Sequence, residues 1–276
     1  MLHLAVAFCS RAMADDPASD PTVFGAPPHV APAPKVEKPR AKVKDPWVRV
    51  QVEGTLGPYG YAQQPLTSGT ALFPKAVDLV APTAGVGVEA RAWVPMFPYL
   101  GVDVELASAR YAFDRTTLCD GLGRPCESAE RGKDDLNRLG GSVLGRYILR
   151  AGPARLWAGA SLGAARSDMQ VYKVESDQVT VEQLRVGALT VGVEGGVETD
   201  LRLFVRTGVT EYLTGAQSHY ETRWRASVGY APIPNAFASV GVDLSGRKVE
   251  VTNGGNPVGE VEDHRTALVV AVGAQL

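Results

Sequence analysis

No run of 18 or more consecutive apolar residues occurs in this 276-residue chain, so no helix of the mature protein is expected to cross a bilayer. Cationic excess is lacking as well. With 28 Lys and Arg against 30 Asp and Glu, the net charge is −2, and no basic field of the kind a general nucleic-acid binder needs is present. Nucleophile elbows, phosphate loops and zinc motifs are also missing, so no catalytic residue, metal site or cofactor is assigned. Cysteine is scarce. Cys9 falls in the N-terminal segment, leaving Cys119 and Cys126, which are spaced for a disulfide in an oxidising compartment.

What is present divides the chain into three stretches. Residues 1–14 carry a short apolar run, Leu2 to Phe8, and a small-x-small site at Ala12-Met13-Ala14, the pattern of an export signal. Residues 15–46 hold eight prolines and few large apolar side chains, too few to offset the entropy of ordering, so a disordered linker is expected. Its second half is basic (Lys35, Lys38, Arg40, Lys42 and Lys44) and could touch an acidic cell-envelope partner.

From Trp47 to Leu276 the hydrophobic period becomes two. Val48, Val50, Val52 and Leu56 alternate with Arg49, Gln51, Glu53 and Thr55. The same separation recurs in nine further segments, giving ten strands. Short turns at 95–98, 150–153, 199–200 and 232–235 alternate with long connections near 63–82, 114–134, 172–182, 213–220 and 251–264. That layout predicts an all-β, up-and-down antiparallel barrel, with the short turns on the periplasmic side if it spans a membrane.

Charge chemistry separates a barrel in lipid from one in water. The polar face carries Arg49, Arg91, Arg138, Arg146, Arg155, Arg202, Arg206, Arg223 and Arg225 in the strand middles, and no Lys. Matching acids are Glu53, Glu89, Asp103, Glu105, Glu194, Glu198 and Asp243. Arg donates a planar fork to a carboxylate, and a near-balanced set suits an enclosed lumen where unpaired charge is costly. The other face is free of charge over nine or ten residues per strand, enough to cross hydrocarbon at a tilt. Aromatics flank it: Trp47, Trp93, Phe97, Tyr99, Tyr147, Trp157, Tyr230 and Phe237 at the short-turn ends, and Tyr59, Tyr61, Tyr111, Phe113, Tyr172, Tyr212 and Tyr220 at the other. They are expected to form two interfacial girdles.

These features resemble the small bacterial outer-membrane β-barrel proteins of the OmpA/OmpX-like type, over about residues 47–276. The final strand, Thr266 to Leu276, looks like the family's assembly signal. The resemblance implies residence in the Gram-negative outer membrane and contact with its lipid and lipopolysaccharide. It also implies recognition by the barrel-insertion machinery through that last strand. Better-known members have eight strands, so eight stays open beside ten. The expected role is non-enzymatic, structural or interactive through surface loops, with the lumen plugged by its charges. A narrow pore for ions or small solutes is the alternative, and a surface hydrolase built on Asp263-His264 with Glu260 and Glu262 is a third.

Overall fold

Strict alternation leaves a strand with one face that water rejects, and a sheet of such strands with two free edges is unstable unless it closes. The computed structural model shows that closure. It describes residues 47–66, 77–113, 132–175, 178–214, 218–253 and 256–276. Residues 1–46, where the export signal and the linker are expected, and Cys119 and Cys126 lie outside the described residues.

Ten strands follow one another: β1 (Val48–Pro65), β2 (Val77–Val94), β3 (Phe97–Phe113), β4 (Gly132–Ala151), β5 (Ala154–Glu175), β6 (Gln178–Thr199), β7 (Leu203–Thr214), β8 (Ser218–Ile233), β9 (Ala236–Asn253) and β10 (Asn256–Gln275). Each pairs antiparallel with its sequence neighbours, and β1 pairs with β10 to close the barrel. The strand number is therefore ten. The chain ends form the seam, where the Trp47 amide donates to the Leu276 carbonyl at 2.5 Å. The short turns need two left-handed residues, Gly152 at φ 59° and Arg202 at φ 64°.

In-register pairing places the apolar positions side by side. Val52 lies opposite Val88 on one side and Val272 on the other, and all three point outward. Such residues form a belt: Val86 is 66% exposed, Leu162 63% and Val193 62%. On β1 the belt runs from Val48 to Leu56, and along β10 from Ala274 back to Leu268, with Leu276 just past the strand's end. Nine residues of a tilted strand span the hydrocarbon of a membrane. A continuous band of that height has no place in water.

The strands run far beyond the belt. β5 and β6 have 22 residues each, about twice what a crossing needs. Three segments read from sequence as long connections, 172–182, 213–220 and above all 251–264, are mostly strand. The reason is an inversion of polarity with no change of register. Past Leu56 on β1, Tyr59, Tyr61 and Gln63 continue the inward parity of Gln51 and Glu53, while Gly60, Ala62 and Gln64 face out. On β10 the outward positions become Thr266, His264, Glu262 and Glu260. Beyond the lipid the barrel is a water-facing wall around an apolar core of Tyr59, Tyr61, Tyr111, Met169, Val249 and Val261, each no more than 1% exposed.

The two-girdle expectation is corrected accordingly. At the short-turn end Trp47, Phe97, Tyr99, Tyr147 and Tyr230 do face outward and are exposed. Tyr59, Tyr61, Tyr111 and Tyr212 face inward and are buried, as are Trp93 and Phe237, with Trp157 half-buried on the same inner face. The side chains of Phe113, Tyr172 and Tyr220 lie outside the described residues.

Candidate functional site

The interior has three layers, each built by residues of one parity per strand. The middle layer is ionic, and its pairs cross the lumen. Arg223 on β8 clamps Asp243 on the adjacent β9, with Nε 3.0 Å from both carboxylate oxygens. Its Nη1 donates to both oxygens of Glu105 on β3 at 2.7 Å. β3 and β8 are diametrically opposite in the ten-strand ring. Arg91 on β2 reaches Glu194 on β6 at 2.7 Å and lies 3.4 Å from Glu89 and Asp103. Arg225 donates to Glu53 on β1 and, at 3.0 Å, to Glu89 on β2. Arg138 on β4 meets Glu221 on β8. Arg206 lies 3.6–3.7 Å from Glu194 and Glu89. Charges this far from water persist because each carboxylate is met by a guanidinium, and Glu89 and Glu194 are met by guanidinium groups from more than one wall.

The second layer lies at the short-turn mouth and joins arginines to rings. The Arg146 guanidinium lies 3.6 Å from the centre of the Trp93 ring, and that of Arg206 5.8 Å from Trp157. Arg49 sits over both Phe237, at 3.9 Å, and Phe204, at 4.8 Å. Each ring rests on a glycine directly across the ladder: Trp93 on Gly101, Trp157 on Gly196, Phe204 on Gly229 and Phe237 on Gly273. A Cβ at Gly273 would fall 2.3 Å from Phe237 Cζ, and one at Gly229 2.2 Å from Phe204 Cζ. These strand glycines therefore admit flat rings against the backbone. Arg155 and Glu198 are the remaining charges of this layer, 3.8 Å apart.

The third layer is the apolar core beyond the lipid, entered by one polar clamp. Arg247 donates to Asp263 at 2.5 Å and to the Ser167 hydroxyl of β5 at 2.8 Å. Tyr59 donates to the same carboxylate at 3.2 Å.

Of the sequence-derived lumen residues, Glu53, Glu89, Arg91, Asp103, Glu105, Arg138, Glu194, Arg206, Arg223, Arg225 and Asp243 meet in the middle layer. Arg49, Arg146, Arg155 and Glu198 line the mouth. Arg202 is a correction: it occupies the β6–β7 turn, exposed, with Nη1 donating to the Pro232 carbonyl at 2.8 Å. A left-handed turn residue has left the strand parity, so alternation could not place it. The sequence reading missed Glu221, Arg247, Asp263 and Arg265 as interior groups. Parity could have found them, since Asp243, Ser245 and Arg247 are consecutive inward positions of one strand.

Asp263 and His264 face opposite sides of β10. The carboxylate points inward to Arg247, and the imidazole points outward to Glu262 at 2.9 Å. Among the described residues no group of three His, Cys, Asp or Glu side chains is placed to hold a metal ion. The space left in the middle layer is a polar cavity of about 160 Å³, bounded by the cross-lumen pairs.

A closed antiparallel barrel with a lipid-high apolar belt and a charged interior defines a transmembrane β-barrel of the outer-membrane type. No protein-family model matches the chain, and no curated protein matches its sequence. Solved outer-membrane barrels do match. The outer membrane protease OmpT of Escherichia coli has 10% identity and a TM-score of 0.42, over 83% of this chain and 97% of that one. Neisserial surface protein A has 14% identity and a TM-score of 0.33, over 83% and 97%. The outer membrane protein OprG of Pseudomonas aeruginosa has 10% and 0.33, over 84% and 97%.

Proposed function

We propose that this barrel is a non-enzymatic protein of the bacterial outer membrane whose lumen is closed, acting structurally or by interaction through its outer end. The observation that carries the reading is the Arg223–Glu105 pair, which ties diametrically opposite walls together at 2.7 Å. A path for solute would have to part it and the Arg91–Glu194 and Arg138–Glu221 pairs. Breaking a buried pair strands a charge, at a cost of about 3–5 kcal/mol. The core beyond the lipid is a second barrier, since its apolar side chains are buried and the Tyr59 and Tyr61 hydroxyls among them are already bonded to Asp263 and Gln63. The strand overhang gives loops a rigid platform for meeting a partner outside the cell. In this reading the belt meets lipid and lipopolysaccharide, and the last strand is what the insertion machinery recognises. The basic segment before Pro46 is the part that would reach a periplasmic cell-envelope partner.

A second reading, a narrow path for ions, draws on the 160 Å³ polar cavity. A hydrolase at Asp263 and His264 has less support, because the two cannot act on one substrate from opposite faces of a strand. The test is solute flux into liposomes carrying the refolded protein. Swelling in a monosaccharide should match that of protein-free liposomes, and swelling that scales with protein content would overturn the closed lumen.

A further inference from the structure

The apolar belt has a polar outer edge on most of the ring. On β3, β4, β5, β8 and β10 the outward position after the last apolar residue is Ser108, Asn137, Arg166, Thr222 and Thr266. β1 and β2 depart from this. Above Leu56 the outward positions of β1 are Pro58, Gly60 and Ala62, and beyond Val86 those of β2 are Ala84, Pro82 and Val80. Pairing sets them side by side: Leu56 by Ala84, Pro58 by Pro82 and Gly60 by Val80. No polar side-chain atom enters this panel until Gln64 and Asp78 close its top. Val80 is 73% exposed, and Pro58, Pro82 and Ala84 are exposed with it.

Lipid is a poor cover for the panel. Ala62 lies about 20 Å farther along the strand than Leu56, where the belt ends. Tilting the barrel to sink the panel would lift the opposite wall into water, and Leu189 on β6 there is apolar and 61% exposed. The flanks of the panel differ in charge. His264 and Glu262 of β10 lie across the ladder from Gly60 and Ala62, with Glu260 beyond them, and Arg110 of β3 lies across from Ala84. An apolar face two strands wide thus has an acidic rim on one side and a basic rim on the other.

We infer that this panel is the contact face of a dimer of two copies of this chain, related by a two-fold axis along the membrane normal. Copies inserted in one direction carry the panel at one height above the lipid, so half a turn sets panel on panel with no mismatch in level. The same rotation sets the β10 rim of one copy, with Glu260 and Glu262, against the partner's Arg110. Glu262 meets His264 and Glu260 meets Lys248 within one copy, and Arg110 is likewise engaged. The rims therefore orient the contact, and the apolar panel supplies the burial. Two cylinders standing side by side touch along a narrow strip, and below the panel that strip continues into the belt at Val52 and Val88. The dimer needs a membrane-spanning barrel but not a closed lumen, so failure of one leaves the other standing.

The experiment uses the full chain with Cys9, Cys119 and Cys126 replaced by Ser and one new thiol, refolded into phospholipid vesicles and treated with a short bismaleimide. Val80→Cys should give a crosslinked dimer whose yield levels off as protein per lipid rises. Arg185→Cys, exposed on the opposite wall, should give only a collisional yield that keeps growing with density. Pro82→Glu added to Val80→Cys should cut the dimer about tenfold, since a carboxylate from each copy then enters the contact. Ala84→Glu takes its place if Pro82→Glu loses the heat-modifiable gel shift of a folded barrel. Equal yields at positions 80 and 185 overturn the inference, as does a dimer that neither glutamate weakens. So does a thiol at position 80 that a monofunctional maleimide fails to label in protein dispersed in excess detergent, because the chain then covers the panel itself. A fluorophore there quenched by brominated acyl chains also overturns it, because lipid is then the occupant.

Discussion

Arg223 and Glu105 face each other across the full width of the barrel, with one nitrogen of the guanidinium 2.7 Å from both carboxylate oxygens. The other side of the same guanidinium is committed to Asp243. One cation thus satisfies two acids from two walls, and its partners are not equivalent to it.

That inequality makes the first prediction. Arg223→Met strands Glu105 and leaves Asp243 only the more distant Arg225, at 3.8 Å, and should cost about 3–5 kcal/mol. Glu105→Gln leaves Arg223 on Asp243 and should cost only about 1–3 kcal/mol. Urea unfolding in lipid vesicles measures both. Equal costs, or the reverse order, would contradict the geometry.

The rings on glycines make the second. Gly273→Ala places a methyl against Phe237 and should destabilise by about 1–3 kcal/mol through overpacking. Adding Phe237→Ala should recover part of that loss, so the double-mutant cycle is non-additive. Gly54→Ala is the control. Its new Cβ would meet nothing closer than the Val270 carbonyl at 3.9 Å, and it should change stability by less than about 0.5 kcal/mol. Additive effects at 237 and 273 would dissociate the ring from its glycine.

The polarity inversion makes the third. Leu268 and His264 share the outward face of β10, four residues apart, on the two sides of the belt's upper edge. Leu268→Arg should cost more than His264→Arg. The scale is about 2–4 kcal/mol for a cation at the bilayer midplane, falling to about 0–1 near the interface. Refolding into vesicles and the heat-modifiable shift on a gel report both. Equal penalties would move the membrane boundary.

The barrel was legible because its cause is local. Alternation, turn residues and the Arg-for-Lys bias are all carried by neighbouring positions of single strands. The overhang was not, because Tyr59, Tyr61 and Val261 are apolar where the belt rule demands polar side chains, and a reader following hydrophobicity alone takes the phase to have ended. The phase had not ended; the medium outside had changed from lipid to water. Similarly, Trp93 and Phe237 were assigned to the lipid interface by their position near turns, although their parity put them with Arg91 and Ser239 inside. The partners of each arginine were illegible for a different reason. Arg91 meets Glu194 across 103 residues of sequence, a contact that only the closure of the ring creates.

Closure of the lumen is tested most directly by current through planar bilayers. Purified protein should insert and give no stable conductance step. The Arg223→Ala/Glu105→Ala double variant, if its lumen loosens, should give small and flickering events. Reproducible open channels of porin size from the unaltered protein would contradict the account.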